Sequence, residues 1–227
     1  MPADRSYRLV RLPFVVIALA FGALAVFHVI DVDERQRIIQ LAATDVRAAG
    51  RRITANALKA PACEPARQGD DLSRLAEAVT IVETFASPRL ERALEFLLVR
   101  TALLLWLPPP DFSIGPAQIR PSRAFEAART GNAPSAASDS DKSAAAIAVD
   151  LLDRCSARRW ARLVLRAYAS ASDARPGPLG RDEVVRLAAA YNGQRTTADD
   201  EAAVANYLYR ELVYQVWQDL RFRHANS

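Results

Sequence analysis

The chain has 227 residues, 51 % of them apolar, so it can bury a sizeable core and is not globally disordered. Two histidines and two cysteines are too few for a Cys/His zinc site, and 8 glycines with 7 % aromatics argue for helices over a turn-rich β-sandwich. A net charge of +4 over this length, with Lys59 and Lys142 the only lysines among 30 basic residues, is a poor basis for a nucleic-acid partner, and none is expected.

The first thirty residues read as a membrane signal. Arg5, Arg8 and Arg11 precede Leu12 to Ile30, a run of 19 residues with no formal charge, and Asp31, Asp33 and Glu34 follow at once. Nineteen helical residues rise ~28 Å, which matches a hydrocarbon core of ~30 Å. Positive charge before the segment and acid after it place the N-terminus in the cytoplasm and the remainder in the periplasm or cell exterior. The expectation is a single-pass anchor in the inner (cytoplasmic) membrane. A signal peptide cleaved after Ala23-Leu24-Ala25 is the alternative, but the apolar run continues past Ala25. His28, near the outer end, is an interfacial side chain. Without residues 1–30 the basic and acidic counts fall to 27 and 25, a net of +2.

Export also bears on the cysteines. Cys63, in the loop Pro61–Pro65, and Cys155, in a helical stretch, are free to oxidise outside the inner membrane, and a structural disulfide is preferred over two buried thiols.

Residues 31–70 are expected to form a juxtamembrane helix, roughly 31–59, and a loop. Asp70, Asp71 and Ser73 are capping candidates for a helix over 72–86. Pro88 interrupts it, and a third helix over about 89–107 carries one charge, Arg100, in its second half. That stretch is too short and interrupted for a second span, so it reads as a buried core helix. Residues 111–121 form a loop or short strands turning at Gly115. Helix resumes at 122–130, a polar loop covers 131–143, and helices follow at about 144–170, 181–192 and 198–222.

On the 72–86 helix, Leu72, Leu75, Ala76, Val79, Val82 and Ala86 form an apolar stripe. Glu83 follows Val79 by four residues and Ala76 by seven, so it lies on the same stripe. A carboxyl group there loses hydration and holds its proton to higher pH, as a general acid for glycosidic cleavage requires. Glu91 and Glu95 are weaker candidates, expected on a solvated flank of the next helix.

Four elements then resemble, in order, those of lytic transglycosylases and goose-type lysozymes. Glu83-Thr84-Phe85-Ala86-Ser87-Pro88 resembles the element that carries the family's catalytic Glu. Ser113-Ile114-Gly115-Pro116-Ala117-Gln118-Ile119-Arg120-Pro121-Ser122 resembles its Ser/Gly turn, Gln and Pro-Ser helix start. Leu187 to Gly193 resembles its "LAAYNAG" element, and Glu201 with Asn206-Tyr207-Leu208 resembles its last helix. Thr84 stands where Ser is usual, Gln194 where a second Gly is usual, and the gap from Glu83 to Gly115 is longer than typical.

The resemblance implies a mainly α, lysozyme-like domain over 71–227 with a short loop/β element near 111–121, preceded by one transmembrane helix. It implies cleavage of the β-1,4 bond between N-acetylmuramic acid and N-acetylglucosamine in peptidoglycan strands by a single catalytic residue, Glu83, with no metal or organic cofactor. Ser113, Gly115, Gln118, Tyr191, Asn192 and Tyr207 would line the substrate cleft. Tyr191 would reach the catalytic carboxyl, and Tyr207, Tyr209 and Tyr214 would form a second aromatic cluster. Asp111 is either loop punctuation or the group that positions water. The alternative is a catalytically inactive module of the same fold that binds peptidoglycan or assembles with other cell-envelope proteins.

Overall fold

The computed structural model describes residues 36–38, 40–59, 63, 70–87, 89–130, 142–171, 178–193 and 200–225. These are mainly helical and contain no strand, only one isolated antiparallel bridge between Ile114 and Ile119. The expected apolar span over residues 12–30 lies outside the described residues, within which no helix is long and apolar enough to cross a membrane.

The helices follow their caps. Asp45 leaves helical geometry and its carboxylate accepts the amide of Ala48 (2.9 Å), so the stretch expected as one helix over 31–59 breaks there and α1 begins (Val46–Ala57). Asp70 caps α2 (Asp71–Ala86) by accepting from both the amide and the hydroxyl of Ser73. After α2 come α3 (Arg89–Leu104) and the 111–120 turn, then α4 (Pro121–Thr130). The helix expected over 144–170 is in fact two, α5 (Ala144–Leu152) and α6 (Arg154–Ala171). Asp153 takes an extended conformation between them, and its side chain accepts the amide of Ser156. The chain ends in α7 (Arg181–Tyr191) and α8 (Asp200–Ala225).

α2 is the centre of the core. It packs between α6 and α8, and Leu75, Ala76, Ala78, Val79, Ile81 and Val82 are all buried. Trp160 and Leu165 of α6 and Val213, Val216, Trp217 and Leu220 of α8 belong to the same buried core. α1 lies along α8 at close range: a Cβ on Gly50 would stand 2.7 Å from the Cβ of Gln215, so only glycine permits that approach. Cys63 and Cys155 form a disulfide, with Cα atoms 5.4 Å apart, that ties the segment after α1 to the start of α6.

The expectation for 89–107 is overturned. α3 is not a core helix: of its described side chains only Val99 and Glu95 are buried, while Leu94, Leu97, Leu98 and Leu104 stand exposed, followed by Leu105, Trp106 and Leu107. Apolar composition alone misleads here, because burial also needs a partner, and the principal helix beside α3 is the short α5.

Candidate functional site

Glu83 sits in the last turn of α2, where the helix reaches the wall of an open cleft of about 850 Å³. The cleft is lined by Glu83, Ser113, Gln118, Tyr191, Asn192 and Asn206. Arg120, Arg123 and Glu126 are among the other lining residues. Five residues expected at the site from sequence, up to 109 positions apart (192 minus 83), therefore share one concavity.

The apolar stripe that carries Glu83 into the core also sets its chemistry. Burial pushes the carboxyl group up from 4.5 to about 7, against the opposing effect of a hydrogen bond from Tyr209. The Tyr209 hydroxyl donates to Glu83 Oε1 at 2.7 Å. Burial, and then the neighbouring Glu83, holds the Tyr209 phenol well above its ordinary range, so it remains a donor at any relevant pH.

Tyr209 takes the place expected for Tyr191. The Tyr191 hydroxyl donates instead to the carbonyl of Ala117 (2.7 Å) and ties α7 to the turn. Tyr207 is a second correction: it is 55 % exposed and does not line the cleft. The stripe Val213, Val216 and Leu220, extended back by four residues, reaches Tyr209 and not Tyr207; that was the signal available in the sequence. Of the expected aromatic cluster, Tyr214 stacks on Trp217 at 6.1 Å.

The turn between α3 and α4 is built to hold its shape. Ile114 and Ile119 exchange both backbone hydrogen bonds, and the Gln118 amide bonds back to the Gly115 carbonyl. Gly115 does not line the cleft. It is buried with φ +73°, and a Cβ there would lie 1.8 Å from the Leu151 carbonyl oxygen. Glycine is required there both for φ and for the approach of α5. Thr84 keeps the hydroxyl of the usual Ser: it donates to the Pro116 carbonyl (3.1 Å) and pins the turn beside Glu83. Asp111 accepts the amide of Ser122 (2.9 Å) at the start of α4 and lies outside the cleft, so it serves as a helix cap.

Glu95 overturns its expected place on a solvated flank. It is buried at 5 % exposure, with Oε2 accepting the Gly115 amide and Oε1 accepting Gln118 Nε2, both at 2.9 Å. In sequence it precedes the buried Val99 by four residues and so shares the inner face of α3. The apolar residues all round that helix hid this phase. Across the cleft, Asn192 donates to Asn206 (3.1 Å), and Arg123 donates to the Tyr191 carbonyl (2.9 Å) while lying over the Tyr168 ring.

The arrangement can deliver a proton near neutral pH from an enclosed carboxyl group to a ligand in the cleft, and can stabilise the carboxylate that remains. Among the described residues no cluster of His, Cys, Asp and Glu is fit to hold a metal ion. No family model, no curated protein and no solved structure matches this chain.

Proposed function

We propose that the chain is a membrane-anchored lytic transglycosylase with a lysozyme-like fold, cleaving the N-acetylmuramic acid–N-acetylglucosamine bond of peptidoglycan. One observation carries the reading above the rest: an enclosed glutamate held protonated to about pH 7 on the wall of a polar cleft, with a tyrosine donor at 2.7 Å. The four ordered sequence elements support it, since the cleft gathers residues from each of them.

In this mechanism Glu83 protonates the glycosidic oxygen as the C–O bond breaks, and the N-acetylglucosamine leaves with that proton. The substrate's own acetamido oxygen stabilises the oxocarbenium-like centre, so no second carboxylate is needed. Glu83, now a carboxylate accepting from Tyr209, takes the proton of the muramyl 6-hydroxyl. That oxygen closes on the anomeric carbon to give a 1,6-anhydro end, and Glu83 is returned to its protonated form. Burial favours the acid in the first step, and the Tyr209 hydrogen bond favours the carboxylate in the second. The segment before residue 31 holds the domain against the inner membrane, facing the wall.

The experiment is digestion of purified sacculi by the full-length chain in detergent, with soluble products resolved by mass spectrometry. Disaccharide-peptides one water lighter than the hydrolysis product are expected. Binding of sacculi without release of any fragment would replace this reading with the non-catalytic module.

A further inference from the structure

Gln118 lines the cleft, yet its side chain is not free to present either end to a ligand. Its Nε2 carries two hydrogens. One is donated to Glu95 Oε1 (2.9 Å) and the other to the Gly115 carbonyl (3.0 Å). Both neighbours are acceptors, so the amide cannot be turned around without setting its oxygen against two others. Glu95 is locked in turn, because its second oxygen accepts the Gly115 amide. The only hydrogen-bonding capacity left on Gln118 is that of its carbonyl oxygen. The backbone adds to the constraint: Gln118 sits at φ +49°, an uncommon conformation for a residue with a side chain.

We propose that Glu95 is a positioning residue that fixes the polarity of the cleft wall, holding Gln118 so that it offers only an acceptor and selects ligands that bring a donor there. For the glycan ligand of the preceding section, on which this identification of the ligand rests, the donor is a sugar hydroxyl or an acetamido N–H; a carbonyl or carboxylate at that point is rejected. Glu95 belongs to α3, the segment that lengthens the interval between Glu83 and Gly115, so the device is supplied by the insertion itself.

Exchanging Glu95 for Gln removes that hold. The Gly115 amide still needs an acceptor, so the new side chain turns its oxygen there and its amide nitrogen toward Gln118. Gln118 then has no satisfied orientation: as it stands its N–H faces another N–H, and turned round its oxygen meets the Gly115 carbonyl, so the side chain is no longer held with its acceptor toward the cleft.

The test uses the full-length chain in detergent with ¹⁵N-labelled glutamine, and tri-N-acetylglucosamine as the probe. In the unaltered chain the Gln118 side-chain amide should give two resolved protons that exchange slowly with water. In Glu95→Gln that protection should be lost, and the trisaccharide Kd should rise about five- to tenfold, the loss of one net hydrogen bond. Gln118→Ala should weaken binding by the same factor, and the double variant should bind no more weakly than Gln118→Ala alone. Freely exchanging Gln118 amide protons in the unaltered chain would overturn the proposal, and that measurement requires no variant to fold. A Glu95→Gln chain that binds the trisaccharide as tightly as the parent would overturn it too. Failure of the parent to bind any glycan, with the amide protons protected, would instead sink the reading of the ligand and leave the polarity of the wall established.

Discussion

Replacing Glu83 by Gln should leave the fold's stability nearly unchanged in acid and raise it above neutrality. In the folded chain burial holds the carboxyl group at about 7, against an ordinary 4.5 that the unfolded chain restores. Between those values the folded state keeps a proton that the unfolded state has released. The stability tied to that proton is fully present below about 4.5 and is lost as the pH rises through about 7. The interval, at 1.36 kcal/mol per pH unit, corresponds to about 3.4 kcal/mol by pH 8 as an upper bound, and partial access through the cleft reduces it to ~2–3 kcal/mol. Glutamine carries no such penalty and still accepts from Tyr209 through its carbonyl oxygen. For a chain of this size 1 kcal/mol moves the melting temperature by ~2–4 °C, so the variant should melt ~4–12 °C above the parent at pH 8 and within ~2 °C of it at pH 4.5. Thermal unfolding of both chains by circular dichroism across that range measures the difference, and every other titrating group cancels in it. A difference that is the same at both pH values would refute the claim that burial governs Glu83.

Other perturbations read other parts of the site. Tyr209→Phe removes the bond that stabilises the carboxylate, worth ~1.5–3 kcal/mol for a charged acceptor, so the alkaline limb of the activity–pH profile should move up by about 1–2 pH units. An unmoved limb would take Tyr209 out of the mechanism. Gly115→Ala meets both φ +73° and the Leu151 carbonyl, and should cost ~3 kcal/mol or more in denaturant unfolding. Replacing both Cys63 and Cys155 by Ala opens a link between residues 92 apart, and the chain-entropy model sets the loss at ~4–5 kcal/mol. The unaltered chain, purified without reductant, should show no titratable thiol.

Local rules reached much of this molecule from sequence and stopped where a helix's rotation had to be known. The 3.6-residue period put Glu83 on the buried stripe of α2, and Asp70 marked where that helix starts. Gly115 marked its turn because glycine takes a positive φ at the least cost; the approach of the Leu151 carbonyl, which also demands glycine, was not legible. The misreadings share a cause. Tyr207 and Tyr209 lie two residues apart, and only carrying the buried stripe of Val213, Val216 and Leu220 back one turn separates Tyr209, which meets Glu83, from the exposed Tyr207. Glu95 looked solvated because a charged residue beside apolar neighbours ordinarily is. It is buried because the turn supplies two donors from a segment 20 and 23 residues on. The apolar content of α3 was legible but its exposure was not, since hydropathy records what a helix can bury and not what is there to cover it.

The most direct test of Glu83 as the catalytic group is the fate of sacculi treated with the full-length chain and with its Glu83→Gln variant under identical conditions near pH 6. Soluble disaccharide-peptides with 1,6-anhydro ends are expected from the parent and none from the variant, with Asp111→Asn indistinguishable from the parent. Release of the same products by Glu83→Gln at the parental rate would contradict the assignment of Glu83 as the catalytic acid and base.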